Sequence, residues 1–130
     1  MRRVSSVVLD ASAVLALLHK ERGADLVERH LPGAALLTVN YSEVLKKTIE
    51  NGGGLREAEM FIHGLELELI PFDERLASET ALLWTKAKKV GLSMADRCCL
   101  ALGRSLNRTV LTAEKRWTEI EFGIRVELIR

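Results

Sequence analysis

The sequence has only two cysteines, Cys98 and Cys99, and they are adjacent. Adjacent cysteines do not form an ordinary structural disulfide, and no CxxC or Cys/His spacing suggests a zinc site. The three histidines are scattered, without the spacing of a metal site or a catalytic triad. These absences exclude a disulfide-stapled scaffold and a zinc domain, and they favour a reducing compartment.

The chain also lacks a long hydrophobic run and an excess of charge of one sign. No run approaches the ~20 apolar residues of a membrane-spanning helix. Arg2 and Arg3 precede an apolar stretch, as in a secretory signal, but Asp10 in that stretch opposes membrane insertion. With 19 basic and 18 acidic residues the net charge is +1, which excludes a strongly basic nucleic-acid coat and an acidic disordered tail. We therefore expect a cytoplasmic protein without a membrane partner.

Short apolar runs alternate with stretches of helical periodicity along the whole chain. Its length is enough for one domain, 1–130, with a core of its own. The predicted strands are 4–9, 34–39, 68–72, 109–112 and 125–129. The predicted helices are 11–19, 23–31, 40–50, 55–65, 73–90 and 93–106. Strands that alternate with helices predict an α/β fold with a mostly parallel sheet covered on both faces.

Four acidic residues stand at strand ends or in the first turns of helices. Asp10 ends the first strand, Glu43 and Asp96 follow the starts of two helices by three residues, and Glu114 follows the strand 109–112. Because side chains at the carboxyl ends of parallel strands point into the crevice where ligands bind, these acids are candidates for one site.

Each acid also has a local structural explanation. Asp10 is a favoured N-cap for the helix that begins at residue 11. Asn40 with Glu43, and Ser93 with Asp96, have the spacing of a capping box. Glu114 would place a favourable negative charge at the amino end of the short helical turn that follows it. Both interpretations stay open for every acid on its own.

The combination of four carboxylates at one edge of a sheet points to a cation. Clustered carboxylates repel one another, and oxygen ligands without Cys or His select Mg²⁺, with Mn²⁺ as the alternative ion, over zinc. A magnesium ion held by carboxylates and open to solvent suits phosphate chemistry, because it binds phosphate oxygen and activates water.

Four stretches of the sequence together resemble one family, in the right order and over nearly the whole chain. They are Val-Val-Leu-Asp10-Ala-Ser12-Ala, Asn40-Tyr-Ser-Glu43-Val, Gly91-Leu-Ser-Met-Ala-Asp96-Arg97 and Thr112-Ala-Glu114-Lys-Arg-Trp117. They resemble the PIN domain, specifically the VapC-type toxin ribonucleases, and the Gly-Leu-Ser-x-Ala-Asp-Arg string is the most specific of them.

The resemblance implies a three-layer α/β/α sandwich around a mostly parallel sheet of about five strands. It also implies a Mg²⁺-dependent endoribonuclease that cuts an RNA such as a transfer RNA, a cognate VapB-type antitoxin and a homodimer. By this resemblance the catalytic and metal-binding acids are Asp10, Glu43, Asp96 and Glu114, with Ser12, Asn40 and Thr112 beside them. Glu114 departs from the pattern, in which Asp usually occupies this position.

An acidic site needs nearby cations to attract RNA, and several basic residues are sequence neighbours of the acids. The candidates for RNA contact are Lys46, Lys47, Arg97, Lys115 and Arg116. A solvated helix face is the alternative for each of them. Met60, Phe61 and Leu65 are candidates for an apolar partner surface.

Two rival functions remain at the level of sequence. The first is a catalytically inactive PIN-fold module that binds RNA or protein, with Glu114 as the inactivating change. The second is a metal-dependent phosphatase with Asp10 as nucleophile, which would normally need a second acid two residues on, where this chain has Ser12.

Overall fold

A computed structural model describes residues 6–119 and 121–130. Within these ranges the strands are Val7–Leu9 (β1), Ala35–Leu37 (β2), Glu68–Ile70 (β3), Thr109–Thr112 (β4) and Val126–Leu128 (β5). The helices are Ala11–His19 (α1), Ala24–Glu28 (α2), Thr38–Glu50 (α3), Leu55–Gly64 (α4), Glu74–Leu82 (α5), Trp84–Ala87 (α6) and Met94–Leu106 (α7). Two short 3-10 turns, Lys88–Val90 and Lys115–Thr118, complete the regular structure of the described ranges.

The five strands form one parallel sheet in the order β3-β2-β1-β4-β5. Val8 is aligned with Ala35 of β2 on one side and with Val110 of β4 on the other. Because every strand runs in the same direction, all five carboxyl ends meet at one edge of the sheet. That edge lies beside the starts of α1, α3 and α7.

Hydrophobic clusters cover both faces of the sheet. Side chains alternate between the faces along a strand, so Val8 packs with Leu100 of α7 while Leu9 packs with Val14 of α1 on the other face. Both clusters consist mainly of fully buried side chains. The predicted three-layer α/β/α sandwich with about five parallel strands is therefore confirmed.

Most predicted elements exist, and their ends differ by a few residues. Residues 4 and 5 of the first predicted strand lie outside the described residues. The predicted strands 34–39, 68–72 and 125–129 and the helix 23–31 are each shorter in the structure. None of the helices in the described ranges is both long enough and apolar enough to cross a membrane.

Two helix predictions were wrong in a way that affects the site or its surroundings. The third helix begins at Thr38, not Asn40, and the Thr38 hydroxyl accepts a hydrogen bond from the backbone N–H of Phe72 over 3.1 Å. The predicted helix 73–90 is broken at Leu83, which is buried in the core between α5 and α6. That segment contains no Gly or Pro, so neither of the usual helix-breaking residues marks the break.

Candidate functional site

All four predicted acids line one cavity of about 220 Å³ at the carboxyl edge of the sheet. Asp10 follows β1, Glu43 lies on α3, Asp96 lies in the first turn of α7, and Glu114 follows β4. Four separate segments of the chain therefore each contribute one carboxylate to the wall of this cavity.

Asp10 is the most buried of these acids, with 5% of its surface exposed. Ser12 donates its hydroxyl to the Asp10 Oδ2 over 2.6 Å, and Thr112 donates to the same oxygen over 2.8 Å. Oδ1 accepts no hydrogen bond from the residues described. Asp10 stands at the N-cap position of α1, but its side chain makes no capping hydrogen bond. The capping explanation therefore does not account for this carboxylate.

The two hydroxyls are themselves fixed by the backbone that follows β4. The N–H of Ala113 donates to the Ser12 Oγ over 2.9 Å, and the N–H of Glu114 donates to the Thr112 Oγ1 over 3.0 Å. Each hydroxyl thus accepts a hydrogen bond from a backbone N–H and donates its own hydrogen bond to Asp10. This arrangement fixes the position of the Asp10 carboxylate before any ligand arrives.

The pKa of Asp10 is raised to about 6: burial is the largest cause, the Ser12 and Thr112 hydroxyls lower the pKa, and the negative charges of Asp96 and Glu43 add to the rise. A carboxylate that is costly to ionise in this way gains from a cation beside it. The site therefore favours a positive ligand.

Asn40 is buried inside α3 and does not begin the helix, so the predicted capping box with Glu43 is wrong. Its Nδ2 donates to the Glu43 Oε1 over 3.4 Å and to the backbone oxygen of Ala95 over 3.2 Å. Asn40 therefore links α3 to the first turn of α7, where Asp96 lies. It sets the spacing between two walls of the cavity.

The second predicted capping box is present. The N–H of Ser93 donates to the Asp96 Oδ2 over 2.9 Å, and the N–H of Asp96 donates to the Ser93 Oγ over 3.2 Å. Asp96 therefore has both predicted roles: it completes the capping box of α7, and the same hydrogen bonds hold its side chain at the cavity wall.

Glu114 caps the 3-10 turn that follows it, and its Oε1 accepts a hydrogen bond from the Arg116 Nε over 2.9 Å. This contact and the nearby positive charge of Lys47 lower the pKa of Glu114. Glu114 therefore stays ionised, with part of its charge offset by Arg116.

Of the five basic residues predicted to contact RNA, the structure brings Lys47 to the cavity. Sequence reasoning missed a second cation there, Arg130, which donates to the backbone oxygen of Arg22 over 2.9 Å and lies 3.4 Å from the Glu21 Oε1. The available signal was its position just after β5, since the carboxyl ends of all parallel strands share this edge.

The other four cations lie outside the cavity lining. Lys46 pairs with Glu50 over 3.1 Å, and the Arg97 guanidinium lies 5.2 Å from the centre of the Trp84 ring. Arg116 is held by Glu114, and Lys115 is exposed in the 3-10 turn.

The donor set of the cavity fits a hard cation, because every acidic ligand offers oxygen. Within the described residues, however, no three Asp, Glu, His or Cys side chains stand close enough to hold an ion between them. A Mg²⁺ ion usually takes one or two carboxylates directly and keeps several waters, so it does not require three acidic side chains in direct contact with it.

Comparison with solved structures gives the same fold at low sequence identity. The toxin–antitoxin complex from Klebsiella pneumoniae has a TM-score of 0.74 at 18% identity, over 96% of this chain and 98% of that chain. DNA-bound VapBC from Salmonella typhimurium has a TM-score of 0.73 at 17% identity, over 98% and 100%. VapBC2 from Rickettsia felis, bound to a promoter DNA fragment, has a TM-score of 0.70 at 16% identity, over 94% and 97%.

No curated protein matches this sequence closely enough to be called a relative. The family model described as PIN domain matches residues 7–123, a range that contains β1 to β4 and all four acids of the cavity. By this match over most of its length, the chain belongs to the PIN domain family.

Proposed function

We propose that this chain is a Mg²⁺-dependent endoribonuclease, the toxin of a VapBC-type toxin–antitoxin pair, which hydrolyses phosphodiester bonds in an RNA such as a transfer RNA. The observation that carries the proposal is the cavity of about 220 Å³ lined by four carboxylates from four segments of the chain. Mn²⁺ is the alternative ion. The adjacent free cysteines, both buried, are consistent with action in the cytoplasm. The proposal takes residues 1–130 as a single PIN-like domain.

Asp10, Asp96, Glu43 and Glu114 would hold the metal ion, directly or through its water shell. When bound, Mg²⁺ polarises a phosphate oxygen and lowers the pKa of a water molecule. Ser12 and Thr112 fix the Asp10 carboxylate through its Oδ2.

The other residues of the cavity orient its walls and attract the substrate. Asn40 donates hydrogen bonds to Glu43 on α3 and to the backbone at the start of α7. It therefore holds the carboxylates of Glu43 and Asp96 at a fixed distance from each other. Lys47 and Arg130 line the same cavity and carry the positive charge that RNA phosphates need at an acidic surface.

RNA cleavage with three matched Asp→Asn variants tests the proposal. Purified protein with Mg²⁺ should cleave RNA, and both Asp10→Asn and Asp96→Asn should abolish cleavage. Asp25→Asn is the matched control, because Asp25 is exposed on α2 and away from the cavity. Cleavage that survives both changes at the cavity would overturn the metal-site assignment.

The second candidate function is a non-catalytic PIN-fold module that binds RNA or protein. The contact between Glu114 and Arg116 favours it, because it holds the fourth acid at 2.9 Å from a cation. RNA that binds to the protein and stays intact with either Mg²⁺ or Mn²⁺ would support this candidate over the nuclease.

We also propose a VapB-type antitoxin as protein partner, with the toxin itself as a homodimer. The similar structures named above are toxin–antitoxin complexes. A groove of about 730 Å³ beside α1, α2 and α4 suits an amphipathic helix, because apolar and charged side chains both line it: Leu17, Leu31, Phe61 and Leu65, and Lys20, Glu21, Arg22, Asp25 and Glu28. Co-expression with a small reading frame from the neighbouring gene should give a complex that Phe61→Asp disrupts.

Light scattering of the free toxin tests the homodimer, because it measures the mass of the particle in solution.

A further inference from the structure

A small pocket of about 90 Å³ lies between the end of α7 and the segment that leads into β5. Its charged lining residues are three arginines, Arg104, Arg108 and Arg125, and no acidic residue lines it. The pocket stands at the amino ends of β4 and β5, whereas the acidic cavity stands at their carboxyl ends. β4 alone, four residues long, spans about 13 Å between the two edges of the sheet.

The backbone around the pocket is closely packed and fixed. A Cβ on Gly103 would lie 2.4 Å from the Val110 Cγ2, so only glycine lets the end of α7 approach β4 this closely. The N–H of Arg108 donates to the Gly103 oxygen over 3.0 Å, and the N–H of Val110 donates to the Arg125 oxygen over 2.9 Å. The arginines are thus attached to anchored backbone from two separate segments.

None of the three arginines is neutralised by an ion pair within the described part of the chain, although Arg125 also lines a second pocket that contains Glu121 and Glu127. None of them forms a hydrogen bond or an ion pair with a described residue, and the Arg108 Nη1 is buried without a hydrogen-bond partner. Arg116 and Arg130, by contrast, each pair with a carboxylate. Like charges repel, and a buried donor without an acceptor is costly. An anion in the pocket would relieve both costs.

We propose that this pocket binds a phosphate group. Guanidinium donors lie in a plane and match two oxygens of a phosphate at once, which makes arginine the preferred residue for this group. The pocket has about three times the ~30 Å³ that a water molecule occupies in the liquid, which is room for one tetrahedral oxyanion. Asn107, which also lines it, adds amide donors. The phosphate is either free, as in a small phosphorylated compound, or part of a nucleic-acid backbone.

Binding of inorganic phosphate to the full chain tests the pocket directly. Phosphate should raise the unfolding midpoint of the wild type more than chloride at matched ionic strength. Calorimetric affinity should fall about tenfold or more in the double variant Arg108→Gln/Arg125→Gln, because two charge-assisted contacts are lost. Arg56→Gln is the matched control, because Arg56 is exposed on α4 and outside the pocket. Equal phosphate affinity in all three proteins would overturn the proposal.

A second measurement identifies the source of the phosphate. Affinity for an uncleavable RNA oligonucleotide is measured in EDTA against salt concentration, for the wild type and the double variant. If the pocket holds a backbone phosphate, the slope of log affinity against log salt should fall by about 0.7. An unchanged slope, together with lost affinity for inorganic phosphate, assigns the pocket to a free phosphate compound. Asp10→Asn should leave phosphate affinity unchanged, so failure of the nuclease proposal leaves this one standing.

Discussion

Thr112 donates its hydroxyl to the Oδ2 of Asp10 over 2.8 Å and so joins the carboxyl ends of two neighbouring strands, β4 and β1. The two residues are 102 positions apart in the sequence. Thr112 is fully buried and also accepts the N–H of Glu114, so one hydroxyl connects the most buried acid of the cavity with the backbone of another.

Removal of the Thr112 hydroxyl should raise the pKa of Asp10, because a donor to the ionised carboxylate is lost. A hydrogen bond to a charged group contributes about 1.5–3 kcal/mol, so Thr112→Val should move the acidic limb of the pH–activity profile upward by on the order of one unit. Thr112→Ser should restore the limb, since it keeps the donor.

Thr80→Val is the matched control for that change. Thr80 is buried too, but its hydroxyl donates to the Leu76 oxygen within α5. This variant should lose stability without moving the pH profile. A profile that shifts equally in Thr80→Val and Thr112→Val would contradict the role assigned to the Thr112 hydroxyl.

The raised pKa of Asp10 makes a prediction about stability in metal-free buffer. The pKa is about 6 in the folded protein and 3.8 in the unfolded chain, so the folded state binds the proton more tightly. The resulting stabilisation is fully present below pH 3.8 and is lost as the pH rises through 6. Two units correspond to about 3 kcal/mol.

Asp10→Asn lacks this titration. Relative to the wild type, its free energy of unfolding in EDTA should therefore increase by about 2 kcal/mol between pH 4 and pH 7, most of the full effect. Chemical denaturation at several pH values measures this difference, with the exposed Asp25→Asn as reference. Parallel pH curves for wild type and Asp10→Asn would show that burial does not penalise the Asp10 charge.

The sequence contained enough information for the fold and for the grouping of the acids. Alternating strands and helices predict a parallel sheet, and parallel strands put their carboxyl ends at one edge, so Asp10 and Glu114 had to approach each other. The start of α7 could also be predicted, because Ser93 and Asp96 have the three-residue spacing of a capping box and form one in the structure.

What could not be predicted depends on contacts between distant segments. Thr38 and Val39 are β-branched and favour a strand, yet they belong to α3, and Thr38 accepts a hydrogen bond from Phe72 on another segment. The helix predicted over 73–90 is interrupted at the buried Leu83, in a segment without Gly or Pro. The attachment of Glu114 to Arg116 depends on the geometry of a 3-10 turn that no spacing rule specifies.

Arg116 and a bound metal ion would compete for the Glu114 carboxylate, so variants of Glu114 and Arg116 should have opposite effects on metal binding. Glu114→Gln should weaken Mn²⁺ binding by about 10–100-fold, the range typical of residues that support a metal site. Arg116→Gln should strengthen it, because the carboxylate loses a competing cation. Calorimetry without RNA measures both.

Glu119→Gln is the matched control for these measurements, since Glu119 is an exposed acid just past the same turn and outside the cavity. Its Mn²⁺ affinity should equal that of the wild type. Unchanged affinity in Glu114→Gln would remove this residue from the metal site and reduce the acids of the site to three.

Lys47 and Lys46 are neighbours on α3 with different surroundings, which allows a sharp test of RNA attraction. Lys47 lines the acidic cavity, whereas Lys46 pairs with Glu50 outside it. Lys47→Gln should raise the KM for RNA, leave kcat nearly unchanged and reduce the salt slope of binding by about 0.7. Arg130→Gln should behave in the same way, because Arg130 lines the cavity as well. Lys46→Gln should change none of these quantities. Equal losses for Lys46 and Lys47 would mean that RNA responds to the overall charge of the α3 surface and not to the two cations of the cavity.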